Sequence, residues 1–313
     1  MDYEEMLMVK TAWYYYLDNM TQQHISELLG ISRMRVIKLL EKARETGIIQ
    51  FRLREASVTR MKLEKSLAET YQLKDTFIVP TPPSGVETNE NIARAAAMYI
   101  SDRLESNTFI NMGYGDTPSR ILNNLATMAV HPLSVVSLTG GVSYYLPNNM
   151  STIFNAKLYL IPAPLLVSSK EVVEAIRNEA SVNEISRMVQ LSSLTVVGIG
   201  SIGENATIVK SGILSKNDFL YLQMKGAVGD VLCHFVDKDG KLVDTSIEDR
   251  LIGTPLSTLQ ELNNVIGVAA GDDKVDAIRA VLKGGYIDIL ITDESTALQL
   301  LDNDKNITDN ISE

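Results

Sequence analysis

Capping and basic side chains are concentrated between residues 21 and 40, where the sequence reads TQQHISELLGISRMRVIKLL. Thr21 and Ser32 are good N-cap residues, and each precedes a stretch with apolar side chains at helical spacing. Gly30 lies between the two stretches and can adopt a positive φ at no steric cost. The pattern predicts two short helices joined by a glycine turn, which is the arrangement of a helix-turn-helix.

The second predicted helix places a basic face opposite an apolar one. Its apolar residues recur at i, i+3, i+4 and i+7: Val36, Leu39, Leu40 and Ala43. Arginine can bond a guanine edge twice, and Arg or Lys near the helix ends can neutralise phosphates, so the other face is suited to the major groove of DNA. The alternative is a helical hairpin that packs against another protein. The candidate DNA-binding residues are Thr21, Gln22, Gln23, Ser32, Arg33, Met34, Arg35 and Lys38.

The segments on either side of this motif carry two further expectations. Residues 48–54, IIQFRLR, alternate apolar and polar side chains and could form a wing strand that turns Arg52 and Arg54 outward. Trp13 and the run Tyr14-Tyr15-Tyr16 precede the motif, and we expect them to pack in a core, although one tyrosine could touch the DNA backbone.

A glycine-rich turn occurs in the segment MGYGDT, which contains Gly113, Gly115, Asp116 and Thr117. It stands between a predicted strand and a predicted helix. Backbone N–H groups in such a turn, together with the helix N-terminus, can hold an anion such as a sugar phosphate. The turn lacks the third glycine of the dinucleotide fingerprint and the lysine of the P-loop, so neither NAD nor ATP is expected.

A second turn of small residues, Thr139, Gly140 and Gly141, ends the next predicted strand, where an α/β sheet usually opens its binding crevice. Each turn alone is more typical of tight chain reversal, but the two at successive strand ends favour a binding site. Asp230 follows the flexible segment KGAVG and could accept hydrogen bonds from sugar hydroxyls. Lys274 in GDDK could neutralise a phosphate, although an isolated charge is usually a solvated turn residue.

Histidine and cysteine are too sparse and too scattered for a metal site. The three histidines, His24, His131 and His234, are not spaced as metal ligands, and no GxSxG, HExxH or CxxC motif occurs. We therefore expect no metal, no cofactor and no catalytic residues. The single cysteine, Cys233, excludes an intramolecular disulfide and fits a reducing compartment, so a cytoplasmic protein is expected.

Charge is distributed unevenly along the chain. The net charge is −10, but residues 33–65 contain ten Lys/Arg and four Asp/Glu and carry +6, which leaves −16 on the rest. A basic N-terminal segment on an acidic body indicates that the N-terminal part alone faces a polyanion. A helix whose polar face happens to be basic would give the same count.

The elements that must position these residues follow from the apolar pattern. Short apolar runs alternate with helical stretches, which is typical of a parallel α/β sheet covered on both faces. The predicted strands are residues 76–79, 109–112, 134–138, 195–199, 265–270 and 287–292. The predicted helices among them are residues 91–104, 118–129 and 170–191.

A chain of 313 residues is long enough for two domains. We predict a DNA-binding domain at residues 1–56, a connecting helix at 57–74 and a larger α/β domain at 75–313. The composition, 45% hydrophobic and 22% charged, is typical of a globular protein. The start MDYEEMLMVK is acidic, so no signal peptide is expected. No apolar run approaches the ~20 residues that a membrane-spanning helix needs, so no membrane segment is expected.

Several sequence blocks occur in one order: TQQHISELLGISRMRVIKLLEKARETGIIQ, MGYGDT, LTGGV, VVGIGS, KGAVGD, GVAAGDDK and GGYIDILITDESTA. In this combination the chain resembles the SorC/DeoR-type sugar-binding transcriptional regulators over nearly its whole length. The blocks YLIPAPLLVSS and ATIVKSGIL are most similar to members that repress autoinducer-2 uptake.

The resemblance implies a winged-helix or helix-turn-helix domain followed by an α/β effector domain related to sugar-phosphate isomerases such as glucosamine-6-phosphate deaminase. Residues 75–313 would then be the sugar-phosphate-binding effector and oligomerisation domain. It implies a homo-oligomer, usually a tetramer, that represses from a palindromic operator in double-stranded DNA. A phosphorylated sugar, a polyol phosphate or phospho-autoinducer-2 would change the operator affinity.

The resemblance also implies which residues hold the effector. These are Gly113, Gly115, Asp116, Thr117, Thr139, Gly140, Gly141, Asp230 and Lys274. Members that regulate deoxyribonucleoside operons carry a lysine at the position of Thr139. A threonine cannot form a Schiff base, so no covalent effector adduct is expected here.

Two other functions remain open from the sequence. A sugar-phosphate isomerase or deaminase with an accessory N-terminal domain would turn over a sugar phosphate. An architectural interaction protein would not be stabilised by any ligand. No acid/base pair accompanies MGYGDT beyond Asp116, and an enzyme would leave the basic N-terminal segment without a role, so the residues favour a regulator.

Overall fold

The computed structural model of the protein describes residues 3–51, 54–83, 87–105, 108–129, 131–141, 145, 155–203 and 206–309. The chain divides into two units, Met1–Val58 and Thr59–Glu313. Within the described ranges, no helix is both long enough and apolar enough to cross a membrane.

Three helices lie entirely within the described part of the N-terminal unit: α1 (Tyr3–Tyr16), α2 (Gln22–Leu29) and α3 (Arg33–Glu45). The side chains of Thr21 and Ser32 cap α2 and α3, because each accepts a hydrogen bond from a backbone N–H of the first turn. Gly30 ends α2 in the left-handed conformation, with a φ of 61°. The two predicted helices and their glycine turn are therefore present.

The core of the N-terminal unit lies between the three helices. The predicted apolar stripe of α3 is buried in full, at Val36, Leu39, Leu40 and Ala43. It packs against Leu7 and Met8 of α1 and against Ile25 of α2. The expectation that Trp13 packs in the core is wrong, since its side chain is 56% exposed. Only the neighbouring tyrosines are half-buried against this core.

The predicted wing strand is not formed in residues 48–51, which have an irregular backbone. Ile48 and Ile49 both pack against the helices, so consecutive rather than alternate side chains face inward and the period of a strand is lost. Arg52, which the strand would have turned outward, lies outside the described residues.

The larger unit alternates strands and helices. Its helices are α4 (Glu55–Tyr71, which spans the boundary between the units), α5 (Thr88–Ser101), α6 (Asp116–Met128), α7 (Lys170–Arg177), α8 (Ala180–Leu191), α9 (Thr207–Lys210), α10 (Lys216–Met224), α11 (Leu256–Glu261), α12 (Val275–Lys283) and α13 (Glu294–Asp309). Its strands are β1 (Asp75–Val79), β2 (Phe109–Met112), β3 (Leu133–Ser137), β4 (Ala156–Tyr159), β5 (Leu194–Ser201), β6 (Ala227–Val231), β7 (His234–Asp237), β8 (Val265–Val268) and β9 (Ile289–Asp293).

Seven of these strands form one parallel sheet in the order β1-β9-β8-β5-β2-β3-β4. The antiparallel hairpin of β6 and β7 joins the end of β5 through β6. From β2 the chain runs outward to β4 on one side, and from β5 it runs outward to β9 on the other. The strand order therefore reverses between β2 and β5, which is where open α/β sheets bind ligands.

The predicted α/β fold with a parallel sheet is confirmed. All six predicted strands are present, each within two residues of its predicted bounds. The helix predicted at 170–191 is two helices, because Asn178 caps the end of α7 and Glu179 has extended backbone angles before α8 begins. Strand β4 and the β6–β7 hairpin have no counterpart among the predicted strands.

Gly229 allows β6 to cross α12 closely. A Cβ at this position would overlap the side chain of Ala277 and would lie 2.8 Å from its Cα and 2.9 Å from the carbonyl oxygen of Gly200. Extra atoms forced into a packed site cost about 1–3 kcal/mol. We expect Gly229→Ala to lower the free energy of unfolding by about that amount in a urea titration.

Gly203→Ala is the matched control, because no described atom lies within 4 Å of a Cβ built there. An unchanged midpoint for Gly229→Ala would mean that β6 and α12 are less closely packed than described.

Candidate functional site

A cavity of about 710 Å³ opens at the carboxyl ends of β2, β5 and β8. Its wall includes the turn after β2, residues 198–201 at the end of β5 and the turn at Gly271 after β8. Small-molecule sites are typically clefts of about 300–1,000 Å³ at such strand ends. The cavity therefore has the size and the place of a ligand site in an α/β sheet.

Five of the nine predicted effector-binding residues line this cavity: Gly115, Asp116, Thr117, Asp230 and Lys274. Gly115 has a φ of 128°, which an L side chain rarely adopts, and it leads directly into α6. The structure thus brings residues 115–117, 230 and 274 together from three separate parts of the chain.

Four predicted residues lie outside the cavity wall: Gly113, Thr139, Gly140 and Gly141. The hydroxyl groups of Thr139 and Tyr145 are hydrogen-bonded at 2.9 Å. A Cβ at Gly140 would lie 2.8 Å from the carbonyl oxygen of Ala163, and the N–H of Gly141 donates to that oxygen. At Gly113 a Cβ would press on Leu232. The contacts of these four residues are those of close chain packing.

Two helices begin at the cavity without a side-chain cap. The N-cap residues of α5 and α6 are Glu87 and Gly115, and neither forms a side-chain capping hydrogen bond. Both helices are long enough for their first N–H groups to carry a positive partial charge. These N-termini favour an anion in the cavity.

Arg120 joins α5 to α6 through three carboxylates. Its guanidinium lies 2.8 Å from Glu87, 2.9 Å from Glu90 and 3.0 Å from Asp116. These acids, first of all the hydrogen bond with Glu90, raise the pKa of Arg120. Asn89 donates a second hydrogen bond to Asp116, at 3.0 Å. The charges of Arg120 and Asp116 are therefore engaged within the protein.

Lys274 has no such partner. Its Nζ lies 3.5 Å from Oδ1 of Asn89, and no carboxylate of the described residues lies within 4.0 Å of it. Burial lowers the pKa of the ammonium group, while the negative charges of Asp273, Asp116 and Asp230 oppose that shift. Lys274 is a half-buried cation that is free to contact an anion.

Asp230 stands on β6 with its carboxylate against β5. Its Oδ2 accepts a hydrogen bond from the N–H of Cys233 at 3.1 Å. Burial raises the pKa of this carboxyl to about 6, against the lowering influence of that N–H, of His234 and of Lys274. A Cβ at Gly200 would lie 3.0 Å from Cγ of Asp230, so the glycine makes room for the carboxylate.

The turn after Asp230 could not be predicted from the sequence pattern. Leu232 and Cys233 connect β6 to β7 with φ of 54° and 66°, the pattern of a type I′ turn. Such turns usually contain Asn, Asp or Gly, so Leu-Cys gives no hairpin signal. Asp230 lies within strand β6, and the residues just before it belong to the same strand, so the expectation that it follows a flexible segment is wrong.

Sequence reasoning also missed part of the cavity wall. Asn89, Arg120, Gly200 and Lys210 line the cavity but were not candidate residues. The block VVGIGS gave a usable signal, because two glycines at a strand end indicate close approach of another group. Asn89, Arg120 and Lys210 stand on helices, where a polar residue gives no comparable signal.

The histidines were expected to be structural. His234 is buried, with Nδ1 2.8 Å from Oε1 of Glu248 and Nε2 3.0 Å from the carbonyl oxygen of Thr254. His24 and His131 are exposed. In the part of the chain that the structure describes, no group of three His, Cys, Asp or Glu side chains could hold a metal ion.

The exposed face of α3 is basic. Arg33, Met34, Arg35 and Lys38 are all exposed, and Met34 reaches 62% exposure. The ion pair of α3 lies elsewhere, between Lys42 and Glu4 of α1, and the described residues offer no carboxylate to the other basic side chains of this face. This face is therefore free to contact a polyanion.

The other predicted DNA-binding residues lie at the start of α2 and α3. Thr21 and Ser32 cap these helices, at 3.2 Å from the N–H of His24 and Arg35. A groove of about 570 Å³ is lined by Thr21, Gln22, Gln23 and Arg33 and, from α1, by Tyr15 and Tyr16. The tyrosines thus add phenol groups to the predicted set.

Comparison with known proteins relates both units to one class. A family model described as "Putative sugar-binding domain" matches residues 56–302. The transcriptional regulator LsrR of Enterobacter sp. strain 638 is 35% identical over 302 residues, which cover 95% of this chain and 93% of the relative.

Solved structures give the same relation. The full-length sorbitol operon regulator SorC from Klebsiella pneumoniae is 25% identical with a TM-score of 0.66, over 96% of this chain and 100% of that one. A transcriptional regulator from Streptococcus pneumoniae TIGR4 is 26% identical with a TM-score of 0.70, over 80% and 100% of the two chains. The similarity to SorC covers the N-terminal unit as well as the larger one.

Asp230→Asn tests the half-buried carboxyl group of Asp230. Because its pKa is raised from 3.8 to about 6, the folded chain binds this proton more tightly than the unfolded chain does. The stability that the proton provides is complete below pH 3.8 and is lost as the pH rises through about 6. Asparagine is neutral throughout, so we expect a free energy of unfolding about 3 kcal/mol above that of the wild type at neutral pH.

Urea titrations of both proteins across this pH range measure the difference, which should shrink as the pH falls toward 3.8. Asp239→Asn changes an exposed residue outside the cavity, and its free energy of unfolding should not show this pH-dependent difference from the wild type. A constant difference at every pH would contradict the raised pKa.

Proposed function

Because the chain belongs to the family of SorC/DeoR-type sugar-binding transcriptional regulators, we propose that its N-terminal unit binds operator DNA and that a phosphorylated sugar or polyol in the cavity controls this binding. The chain is a sugar-responsive transcriptional regulator. The alternative of a sugar-phosphate isomerase or deaminase is not supported, since the relatives are transcriptional regulators.

The DNA-binding half of the proposal is supported by α2 and α3. Their capped starts and the glycine turn between them fit a helix-turn-helix, in which the second helix enters the major groove. In this arrangement Arg33, Arg35 and Lys38 of α3 face the DNA, with Met34 among them. Arg35 stands on the exposed face of the first helical turn, where recognition helices contact base edges.

The remaining candidate residues would hold the DNA backbone. Thr21, Gln22 and Gln23 open α2, whose N-terminus favours a phosphate oxygen. Ser32 would contribute mainly by capping α3. Phosphate contacts of this kind fix the orientation on DNA, while the base contacts of α3 provide the sequence preference.

The effector half of the proposal is carried by one observation, the half-buried ammonium of Lys274 inside a cavity where two helices begin. A phosphate group would replace water around this cation and accept hydrogen bonds from the first N–H groups of α6. Gly115, Asp116 and Thr117 supply these backbone groups. Asp230 would accept hydrogen bonds from sugar hydroxyls.

The effector is a phosphorylated sugar or polyol, and phospho-autoinducer-2 is among the candidates. Hexose, hexitol and pentitol phosphates share the features that the cavity recognises, a phosphate at one end and hydroxyl groups at the other. The four predicted residues outside the wall, Gly113, Thr139, Gly140 and Gly141, would support the neighbouring strand ends.

Regulation requires two states of different operator affinity. A ligand shifts such an equilibrium only when it binds one state better than the other. We assign the state change to a homo-oligomer, a tetramer as the family resemblance implies, in which paired N-terminal units reach both halves of a palindromic operator. Helix α4 is the covalent connection between the two units and thus the proposed transmitter.

Arg35→Ala tests the proposed recognition face. Loss of one bidentate contact to a base costs about 1–3 kcal/mol, so the affinity for DNA from upstream of the chain's own gene should fall about tenfold or more. Electrophoretic mobility shift at fixed salt, with unrelated DNA as competitor, measures the change. Binding to the competitor should weaken much less than binding to the upstream DNA.

Arg187→Ala is the matched control, because Arg187 is an exposed arginine of α8 in the larger unit. Equal affinities for Arg35→Ala and Arg187→Ala would remove α3 from the DNA interface.

Lys274→Ala tests the proposed phosphate contact. A panel of sugar and polyol phosphates, including phospho-autoinducer-2, is added to the complex with the upstream DNA. For the wild type, one compound should release the DNA, as expected of a repressor. Lys274→Ala should bind the DNA equally well but need at least about tenfold more of that compound, since the charge-assisted contact is lost.

Lys283→Ala carries the same change at an exposed position of α12 and should respond as the wild type does. A normal response of Lys274→Ala would argue against the phosphate role. A complex that becomes tighter with the compound would indicate a co-repressor or activator mechanism instead.

A further inference from the structure

We propose that the exposed face of α1 is the surface through which the N-terminal units of two copies of this chain pair, with the two α1 helices side by side and parallel. The inference rests on the proposed function, in which the N-terminal units act in pairs on a palindromic operator. It adds the surface that forms the pair and the charges that set its direction.

Helix α1 carries apolar side chains on two faces. Leu7 and Met8 lie on the first face, which packs against α3 in the core of the N-terminal unit. The second face is exposed, although each of its large apolar side chains has at least 40% of its surface accessible to solvent. A helix with apolar residues on all sides is normally covered on all of them. The exposed residues are Tyr3, Met6, Val9, Trp13 and Leu17.

These five residues form one stripe along α1. Successive members are three, three, four and four positions apart, and residues at these distances lie above one another on a helix. Leu17 follows the last residue of α1, but its N–H donates to the carbonyl oxygen of Trp13 at 2.9 Å and so continues the helical turn. Spacings of three and four are those by which two helices pack side by side along their length.

The stripe is large enough for a specific contact. An aromatic side chain can bury about 150–250 Å², and the exposed parts of the five side chains amount to about 500 Å² in each copy. Two copies would bury about 1,000 Å² in total, which is the lower limit for a specific protein interface. Trp, Tyr and Met are also the residue types that such interfaces favour. Because the copies are already held in the proposed oligomer, a contact of this size is sufficient.

The charges beside the stripe favour a second copy as its partner. Glu5 and Lys10 lie on opposite flanks of the stripe, and both are exposed. In the described part of the chain neither forms a salt bridge, and the ion pair of α1 joins Glu4 to Lys42.

The spacing of these two charges favours parallel helices. In a parallel pair, residues five positions apart on opposite flanks meet across the contact, and Glu5 and Lys10 have this spacing. An antiparallel pair would bring equal flanks together and leave the two charges apart. The face therefore complements itself, with two Glu5–Lys10 pairs related by a two-fold axis.

Cysteine cross-linking of the full chain tests the contact. In a parallel pair each position of the stripe lies opposite itself, and a disulfide forms only where two Cα atoms come within about 7 Å. Met6→Cys and Val9→Cys should therefore each give a covalent dimer on mild oxidation, seen on a non-reducing gel. In an antiparallel pair these two positions cannot both lie opposite themselves. Cys233 is buried and does not compete.

Leu28→Cys is the matched control, because Leu28 is an exposed apolar residue of α2 that is not part of the stripe. We expect Met6→Cys and Val9→Cys to cross-link at least about tenfold faster than Leu28→Cys, since only their thiols are held close together. Labelling each variant with a monofunctional maleimide corrects for differences in thiol reactivity.

Charge reversal in the Val9→Cys variant tests the direction of the helices. Adding Glu5→Lys puts a lysine opposite Lys10 of the second copy and should slow cross-linking about threefold or more. Adding Lys10→Glu as well restores opposite charges across the contact and should bring the rate back.

The results separate this inference from the proposed function. Cross-linking of Met6→Cys or Val9→Cys no faster than that of Leu28→Cys would overturn the pairing, and a stripe covered by a different protein or by DNA would give this result. A rate that Glu5→Lys leaves unchanged would overturn the parallel arrangement. In both cases, binding of the wild type to the upstream DNA would still support the proposed function. Failure of the wild type to bind this DNA would overturn the proposed function, while fast cross-linking would still establish the contact.

Discussion

The parallel pairing of β2, β5 and β8 is the constraint on which the cavity depends. In a parallel sheet that is covered by helices on both faces, the side chains of the strands are buried and apolar. Charged side chains are therefore found at the ends of the strands. Met112 pairs with Val196 and Gly198 with Val268, which brings these ends to one edge. Strand β5 runs beyond that edge to pair with β6, and in this way Asp230 enters a site built mainly by the main sheet.

The structure could be predicted best where its determinants are local. The capped helices around Gly30 depend on residues within a few positions of one another. Six strands were predicted from short apolar runs between turn residues. Five residues of the candidate effector site were found for the same reason, because each stands beside a glycine or a strand end.

Longer-range determinants could not be read from the chain. Hairpin β6–β7 depends on a turn of Leu232 and Cys233, whose positive φ is held by a buried environment and by the carboxylate of Asp230. The charge of Arg120 meets acids about thirty positions away, so its engagement is visible only after α5 and α6 have packed. Gly140 fits the sequence pattern of a ligand-binding turn, but in the structure it allows the backbone of Ala163 and Pro164 to pack closely against it.

Cys233 is the one cysteine of the sequence, and it is buried at the wall of the cavity. Burial raises the pKa of its thiol well above the ordinary value, so the thiolate that reacts with maleimides is scarce at neutral pH. A cysteine placed on the surface of either unit would then be the preferred point of attachment for a spin label or fluorophore. The native thiol can stay in place, and with it the hydrogen bond that Cys233 donates to Asp230.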